Sequence, residues 1–287
     1  MVEGSFKIMI TNLKVLLNHA KEHQYAVGAF NVYNYETIKA VILAVKEKQQ
    51  PAIIAFGEKY LANMNLKEVV NLVRTMTTDL RTNIAIHLDH TKSIDVIREA
   101  INAGFTSVMY DGSELDYEEN VKNTKLVVEM AHQAGVSVEA ELGSLKLGTD
   151  TNEDDAEEIY TDPLQAKDFV ERTGIDCLAV SIGTVHGLYK GEPKVSVERL
   201  IEIKEQVDIP FVLHGGSGTP LSIIERCIEN GITKINVNTE ISYSVVQMIG
   251  KLIQDKPNSH FSQLSVAAVE TAKQTVIKYM EMFQPNK

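Results

Sequence analysis

A chain of 287 residues that is 44% hydrophobic and 23% charged has the composition of an ordinary globular protein and the length to bury a large core. Its formal net charge of −11 argues against a nucleic-acid-binding surface, because nucleic-acid phosphates are bound by clustered Lys and Arg. The negative total does not exclude a small anionic substrate, since a local site can oppose the overall field.

The sequence also carries information about cellular location. Residues 1–7 lack a basic segment followed by an apolar run, so we expect no signal peptide, and no apolar stretch approaches the ~20 residues that cross a bilayer. The two cysteines, Cys177 and Cys227, lie far apart, and we expect both to be reduced structural thiols. These features predict a cytoplasmic protein with neither nucleic-acid nor membrane partners.

Amphipathic segments alternate with short apolar runs along the whole chain. The predicted strands lie at residues 25–32, 51–56, 84–90, 106–112, 136–143, 177–182, 210–214 and 233–239. The predicted helices lie at residues 9–24, 36–47, 66–79, 93–103, 117–134, 163–173, 196–206, 220–230, 240–254 and 262–283. Ser93 is a plausible N-cap, and glycines follow several of the helices as stops, among them Gly104 and Gly174.

This order predicts the architecture. Continuous apolar runs, rather than alternating ones, are typical of parallel strands that are covered on both faces. Eight strand–helix units within about 260 residues favour a closed (β/α)8 barrel, a TIM barrel. We expect a single domain spanning residues 1–287 with extra N- and C-terminal helices. An open, doubly wound sheet is the alternative.

Three histidines stand where predicted strands end. His90 ends the third strand, His186 follows the sixth, and His214 ends the seventh. Active sites of barrels of this kind lie at the carboxyl ends of the strands, so the three side chains should converge. Three imidazoles that leave one coordination position open form a catalytic zinc site, and the metal acts there as a Lewis acid.

Further polar residues fall at the same edge of the barrel. Asp89 directly precedes His90, and the alternation of side chains along a strand should turn it to the other side. We therefore expect Asp89 to be an acid/base group; the alternative is that it only orients a histidine. His87, deeper in the strand, should be structural. The other polar residues at this edge are Asp111, Glu141, Asn236 and Asn238.

A glycine-rich turn predicts a phosphate site. Residues 215–218 follow the seventh strand and lead to a predicted helix at Pro220, and residues 236–239 lie on the eighth strand. Loops after these two strands commonly bind phosphate in barrel enzymes, because backbone N–H groups and a helix N-terminus face the anion.

Several motifs together resemble the class II, zinc-dependent ketose-bisphosphate aldolases, which include the fructose-1,6-bisphosphate and tagatose-1,6-bisphosphate enzymes. The likeness runs from about residue 12 to residue 283. The motifs are His87-Leu88-Asp89-His90, Tyr110-Asp111-Gly112-Ser113, Val138-Glu139-Ala140-Glu141-Leu142-Gly143, Gly183-Thr184-Val185-His186-Gly187, His214-Gly215-Gly216-Ser217-Gly218 and Asn236-Val237-Asn238-Thr239-Glu240.

The resemblance implies a role for each matching residue. His90, His186 and His214 would bind a catalytic zinc, and Asp89 would donate a proton to the aldehyde oxygen. Asp111 and Glu141 match positions that hold a second divalent metal in some members. A monovalent cation, Na+ or K+, often assists near the glycines. The residues implied in substrate binding are Asn31, Gly187, Gly215, Gly216, Ser217, Asn236, Val237, Asn238 and Thr239, most of them at the dihydroxyacetone phosphate end.

The chain departs from the family pattern at three places. In the family a Glu in the loop after the fifth strand moves a proton onto the carbanion carbon; within the long acidic segment 143–162, Glu153 is the best match. That segment is expected to be either a lid or a solvated loop. Gly57 stands where many members have Ser or Thr, and segment 263–268 lacks an Arg that contacts the distal phosphate in several members. The dihydroxyacetone phosphate half of the site thus looks intact, and the far end does not clearly demand a phosphate.

The resemblance implies reversible cleavage of a ketose 1,6-bisphosphate, fructose or tagatose, to dihydroxyacetone phosphate and glyceraldehyde 3-phosphate. An aldolase for another phosphorylated ketose, from an inositol or deoxysugar pathway, is the alternative. A metal-dependent hydrolase on the same barrel is a more remote alternative. Those enzymes usually carry a His-x-His pair on the first strand, and residues 29–32, at the end of this strand, contain none. A barrel used only for binding is disfavoured by the complete set of histidines and Asp89. The family implies a homodimer or homotetramer, with the C-terminal helices as candidate contacts.

Overall fold

Eight parallel strands close into a barrel in sequence order, with the first strand paired to both the second and the eighth. The computed structural model describes residues 10–143, 160–185, 187 and 193–284. The strands are β1 Val27–Asn31, β2 Ala52–Gly57, β3 Ile84–Thr91, β4 Ser107–Tyr110, β5 Ser137–Leu142, β6 Cys177–Val180, β7 Phe211–Leu213 and β8 Ile232–Val237. The predicted (β/α)8 barrel is confirmed, and the open-sheet alternative is wrong.

Helices cover the outside of the barrel, and the described chain also begins and ends with helices outside the strand–helix repeats. They are α1 Leu13–Glu22, α2 Tyr35–Lys48, α3 Leu66–Met76, α4 Ile94–Ala103, α5 Tyr117–Gln133, α6 Pro163–Thr173, α7 Val197–Gln206, α8 Leu221–Glu229, α9 Thr239–Asp255 and α10 Phe261–Met282. A short 3-10 helix, Glu58–Tyr60, follows β2. Among the described residues, no helix is long and apolar enough to cross a membrane.

Local sequence signals explain where the helices begin and end. Ser93 caps α4 as predicted, with its side chain accepting a hydrogen bond from the backbone of Val96. Asn34 and Asn65 form capping boxes at the starts of α2 and α3. Gly104 ends α4 in the left-handed conformation, at φ 101°, which a residue without Cβ adopts at no steric cost.

The interior of the barrel is apolar towards its amino-terminal end. Every second side chain of a barrel strand points inward. Here helix α1 packs against the inward apolar residues: Leu13, Leu16, Leu17 and Ala20 form one cluster with Val27, Ala29, Ile53, Ala85, Cys177, Ala179 and Val212. This cluster packs the amino-terminal end, and the inward side chains of Asp89, Glu141 and Asn236 lie near the carboxyl ends of their strands, where the loops are.

Most strands end one or two residues earlier than predicted. β4, β6 and β7 stop at Tyr110, Val180 and Leu213, whereas their predicted ends were residues 112, 182 and 214. The predicted helices differ from the observed ones by only a few residues at their ends.

Candidate active site

The third strand is distorted where its two polar residues meet. The β3–β4 register shifts between Leu88 and Thr91, and His90 has a φ of 43°. A bulge with a left-handed residue breaks the strict alternation of side chains. Asp89 and His90 therefore both reach the site, and their ligand atoms lie within 4.8 Å of each other and of His214. The expectation that Asp89 points to the other side was wrong, because that expectation assumed a regular strand.

His90 is held by Asp111 at the end of β4. Its Nδ1 lies 3.0 Å from Asp111 Oδ2, and its ring meets the ring of His214 edge to face, with centroids 4.5 Å apart. Ser113 donates to Asp111 Oδ1 from its hydroxyl at 2.7 Å and from its backbone N at 3.3 Å. Burial raises the pKa of Asp111, but the bonds from His90 and Ser113 outweigh burial and hold it well below its usual range. Asp111 is therefore an anion at neutral pH.

A second group of possible ligand atoms overlaps the first. His90, Asp111 and Glu141 offer nitrogen and oxygen atoms that also lie within 4.8 Å of one another. Glu141 is buried on β5, and its Oε2 lies 3.3 Å from His214 Nδ1. Imidazole and carboxylate groups so arranged have the donor chemistry of a divalent metal site. Of the predicted metal residues, the structure brings together His90, His214, Asp111 and Glu141.

His214 is enclosed between two carboxylates. Its Nε2 lies 2.9 Å from Glu139 Oε1, on the side away from Glu141. Burial disfavours the imidazolium, but the hydrogen bonds to Glu139 and Glu141 outweigh burial and raise the pKa of His214 to about 10. Without a metal, this histidine is a cation at neutral pH.

Glu139 and Lys234 were not among the predicted site residues. Both are fully buried, and Lys234 Nζ lies 2.9 Å from Glu139 Oε2 and 3.1 Å from Oε1. Burial raises the pKa of Glu139, but Lys234 and His214 lower it to about 2. The alternation of strand side chains contains a signal for both, because each stands two residues before a predicted site residue, Glu141 or Asn236.

Asp89 is anchored by two asparagine side chains. Asn31 Nδ2 donates to its Oδ2 at 2.8 Å, and Asn236 Nδ2 donates to its Oδ1 at 3.1 Å. Burial raises the pKa of Asp89, but the nearby His90, Lys234 and other histidines outweigh it and place the pKa far below the usual range. The resting carboxylate is therefore ionised.

His87 lies beneath this group. It is fully buried, its Nδ1 is 3.0 Å from the hydroxyl of Ser107, and its Nε2 is 3.5 Å from Glu139 Oε2. Burial, together with Lys234, lowers its pKa to about 4, so His87 is neutral at pH 7.

A cavity of about 120 Å³ opens beside Asp89 and His90. The described residues that line it are Asn31, Lys59, Asp89, His90, Gly187, Gly215, Ser217, Asn236, Asn238 and Thr239. Seven of the nine predicted substrate-binding residues are in this set. Val237 and Gly216 are not. Val237 points outward into the core between the barrel and its helices, as strand alternation requires, and Gly216 packs against Ile235 and Asn236.

The turn after β7 needs its glycines. Gly215 has a φ of 73°, and a Cβ there would come 2.3 Å from the carbonyl oxygen of Val185, so no other residue fits. Beside this turn begins α9, whose first residue, Thr239, lines the cavity together with the N-cap Asn238. The first turn of this 17-residue helix has backbone N–H groups without partners inside the helix and a positive dipole end, and the N–H of Glu240 donates to the hydroxyl of Ser217 at 3.4 Å. The two elements together have the geometry that suits an anion, and we call them the anion-binding corner.

The 3-10 helix after β2 adds two residues to the site, Lys59 and Tyr60, that were not predicted from the sequence. Tyr60 accepts a hydrogen bond from Asn238 Nδ2 at 3.0 Å, which ties this segment to the start of α9. Lys59 lines the cavity, and it is the only Lys or Arg among the described residues that do so.

Two of the predicted site residues are outside the part of the chain that the structure describes. They are His186, the proposed third zinc ligand, and Glu153, the proposed proton carrier. Gly187, which directly follows His186, does line the cavity.

Comparison with known proteins identifies one family. The model of the family "Fructose-bisphosphate aldolase class-II" matches residues 11–287. The fructose-bisphosphate aldolase of Geobacillus stearothermophilus is 42% identical over 278 residues, 96% of each chain. The probable fructose-bisphosphate aldolase of Bacillus subtilis (strain 168) is 42% identical over 281 residues, 96% of this chain and 97% of its own. The crystal structure of the YdjI aldolase from Escherichia coli K12 superposes with a TM-score of 0.84 at 32% identity, over 96% of this chain and 97% of its own.

These matches span nearly the whole chain and include the strands that carry the polar cluster. They exclude the metal-dependent hydrolase reading, and they agree with the clustered histidines and carboxylates, since the family implies a divalent metal. The chain therefore belongs to the class II fructose-bisphosphate aldolase family and is a class II aldolase, a lyase.

Proposed function

We propose that this aldolase reversibly cleaves a ketose 1,6-bisphosphate, fructose or tagatose, to dihydroxyacetone phosphate and glyceraldehyde 3-phosphate. The observation that carries this proposal is the position of Asp89, His90 and His214, whose ligand atoms lie within 4.8 Å of one another beside the anion-binding corner. The two relatives at 42% identity are named as fructose-bisphosphate aldolases, which favours fructose.

A second candidate is cleavage of another phosphorylated ketose that also releases dihydroxyacetone phosphate. Two observations favour it. Segment 263–268 at the start of α10 contains no Arg, and the solved relative at 32% identity is described only as an aldolase.

We propose that His90, His186 and His214 hold one catalytic zinc. The imidazole nitrogens of the two described ligands and the adjoining carboxylates fit this metal. When bound, zinc supplies a Lewis acid that stabilises the negative charge of the enediolate. Asp111 and Glu141 would hold a second divalent metal, and a monovalent cation, Na+ or K+, would bind near the glycines.

Asp89 is proposed as the group that exchanges a proton with the substrate oxygen. In the cleavage direction, its carboxylate takes the hydroxyl proton from carbon 4 while the bond between carbons 3 and 4 breaks. In the condensation direction, it returns this proton to the aldehyde oxygen. Asn31 and Asn236 hold both carboxylate oxygens and so orient the base. Glu153 is proposed to move the proton at the carbanion carbon.

The phosphate end of the substrate is proposed to bind at the anion-binding corner. Gly187, Gly215, Ser217, Asn238 and Thr239 line the cavity there, and backbone N–H groups are well suited to phosphate oxygens. Gly216, which does not line the cavity, shapes the turn instead.

A homodimer or homotetramer in the cytoplasm is also proposed. Helix α9 exposes Tyr243, Val246 and Ile253, and α10 exposes Phe261 and Val266, so the C-terminal helices offer an apolar surface. Analytical ultracentrifugation of the purified enzyme tests this, and a monomer at micromolar concentration would contradict it.

A cleavage assay tests the substrate. The zinc-loaded enzyme is incubated with fructose 1,6-bisphosphate, tagatose 1,6-bisphosphate and ketose 1-phosphates, and dihydroxyacetone phosphate is detected by a coupled reaction. We expect one of the two bisphosphates to release dihydroxyacetone phosphate with the highest kcat/KM of all the substrates. Release only from ketose 1-phosphates would favour the second candidate, and no release from any of them would contradict both.

A further inference from the structure

A second ring of polar side chains lies inside the barrel, directly beneath the residues of the site. Its members stand two residues before site residues on the same strands: His87 before Asp89 on β3, Glu139 before Glu141 on β5, and Lys234 before Asn236 on β8. These three strands are not neighbours in the barrel, so their side chains can meet only in its interior. None of the three lines the cavity, and so none is placed to touch substrate.

Glu139 is the centre of this ring. Its carboxylate is fully buried. Lys234 Nζ lies 2.9 Å from Oε2 and 3.1 Å from Oε1, and His214 Nε2 lies 2.9 Å from Oε1. The neutral His87 contributes an Nε2 at 3.5 Å. A carboxylate placed in a dry interior is destabilising unless it is paired and hydrogen-bonded, and Glu139 is both.

The contact with His214 has a chemical consequence. An ionised carboxylate can only accept hydrogen bonds, so the nitrogen facing Glu139, Nε2, carries the proton. The other nitrogen, Nδ1, faces Glu141 at 3.3 Å, and Glu141 shares a ligand group with His90. A histidine that binds a metal through one nitrogen usually donates its other N–H to a carboxylate or carbonyl.

We propose that Glu139 is a positioning residue that fixes the tautomer and ring orientation of His214, so that Nδ1 keeps its lone pair for the metal, and that Lys234 holds the Glu139 carboxylate in place through its two contacts at 2.9 and 3.1 Å. The inference rests on the proposed metal site. Lys234 contacts both carboxylate oxygens, so the carboxylate faces His214 Nε2 as a fixed acceptor. The buried ion pair thus sets the direction of one hydrogen bond.

The unaltered enzyme provides the first test. Long-range 1H–15N spectra of uniformly 15N-labelled, zinc-loaded protein report which histidine nitrogen is protonated and which binds metal. His214 is expected to be protonated at Nε2 and metal-bound at Nδ1. Binding through Nε2 would overturn the inference. If the enzyme bound no zinc at all, the proposed metal site itself would fall, which is a different and separable result.

Substitution provides the second test. Glu139→Gln places an amide beside His214 that can donate to Nε2 and let the proton move to Nδ1. We expect zinc affinity, measured by competition with a chromophoric chelator, to fall about 10- to 100-fold. The matched control is Asp176→Asn, because Asp176 Oδ2 lies 2.8 Å from His132 Nε2 in a similar carboxylate–histidine pair near the start of β6. Zinc affinity should be unchanged in this control.

A double variant separates positioning from folding. Glu139→Gln alone leaves Lys234 buried without its counter-ion and so endangers the fold. Glu139→Gln with Lys234→Met removes both charges and keeps similar side-chain volumes. This protein should fold, bind zinc weakly and show His214 protonated at Nδ1. A folded double variant with the zinc affinity and His214 tautomer of the unaltered enzyme would overturn the proposal.

Discussion

The hydroxyl of Tyr279 accepts a hydrogen bond at 3.2 Å from the backbone N of Gly218 and donates one to Glu240. Gly218 ends the turn after β7, and Glu240 is the second residue of α9, so one side chain of the last helix links both elements of the anion-binding corner. Tyr279 is buried, and Glu240 is further held by Lys278 at 2.7 Å. The C-terminal helix therefore supports the proposed phosphate site without touching it.

We expect Tyr279→Phe to loosen this corner. Loss of the hydroxyl removes two hydrogen bonds and should lower the free energy of unfolding by about 1–2 kcal/mol, measured in urea. KM for the phosphorylated substrate should rise by more than kcat falls, because the proton-transfer groups are not altered. Tyr243→Phe on the exposed face of α9 is the control. Unchanged KM in Tyr279→Phe would show that the link does not position the corner.

Asp89 allows a test that separates ligation from proton transfer. Its carboxylate lies within the same 4.8 Å group as His90 and His214, so the geometry alone permits either role. We expect Asp89→Ala to retain zinc, measured by elemental analysis, and to lose kcat by a factor of about 10² to 10⁴. Loss of the metal from this variant would instead identify Asp89 as a ligand, and unchanged turnover would remove it from the acid/base role.

The barrel and much of the site could be predicted because their signals are local. Continuous apolar runs define the strands, and polar residues at the ends of those runs, such as His90 and His214, must converge once the barrel closes. Strand ends were less accurate: β6 and β7 end at Val180 and Leu213, before the predicted ends at residues 182 and 214. The end of a strand depends on pairing with its neighbours, which the apolar pattern does not contain.

Other features of the site depend on contacts that no local pattern contains. The orientation of Asp89 follows from the left-handed φ of His90, which a regular strand does not predict. The pairing of Glu139 with Lys234 joins residues 95 positions apart, and an inward lysine has meaning only when its partner across the barrel is known. Lys59 lies on a 3-10 helix too short to leave a periodic signal.

Removal of one proposed ligand should remove the metal. We expect His90→Ala to lose zinc and activity together, because its imidazole belongs to both groups of ligand atoms. Chelation of the unaltered enzyme with EDTA should have the same effect on activity, and added zinc should restore it. His132→Ala is the control, since His132 contacts Asp176 near the start of β6. Full activity of either the His90 variant or the chelated enzyme would contradict the zinc proposal.

The buried His87 should make the metal-free protein sensitive to acid. Its pKa is about 4 in the folded protein and 6.5 in the unfolded chain, so below pH 6.5 the unfolded state binds a proton that the folded state does not. The contribution of His87 to the free energy of unfolding is therefore fully present above pH 6.5. It is lost as the pH falls towards 4, and the loss for this group is about 3 kcal/mol. Burial is the main cause of the shift, so replacing the imidazole should remove this part of the loss.

His87→Gln provides the comparison. Urea unfolding of the metal-free protein from pH 7 to pH 4 should show a shallower loss of stability in this variant than in the unaltered chain. The low pKa values of Asp89 and Glu139 act in the same direction, so some loss should remain. Equal slopes in the two proteins would show that His87 is protonated in the folded state within this range.

Lys59 is expected to bind an anionic group of the substrate, because it is the only Lys or Arg among the described residues that line the cavity. Lys59→Met should lower kcat/KM for the ketose bisphosphate about 10- to 100-fold, the effect of losing one charge-assisted hydrogen bond. Lys59→Arg should retain most activity, and Lys67→Met, on the exposed face of α3, is the surface-charge control.

Comparing the bisphosphate with a ketose 1-phosphate then tells which end of the substrate Lys59 contacts. A loss confined to the bisphosphate places Lys59 at the distal end, whereas an equal loss with both substrates places it at the dihydroxyacetone phosphate end. No loss with either would show that its charge does not act on the substrate.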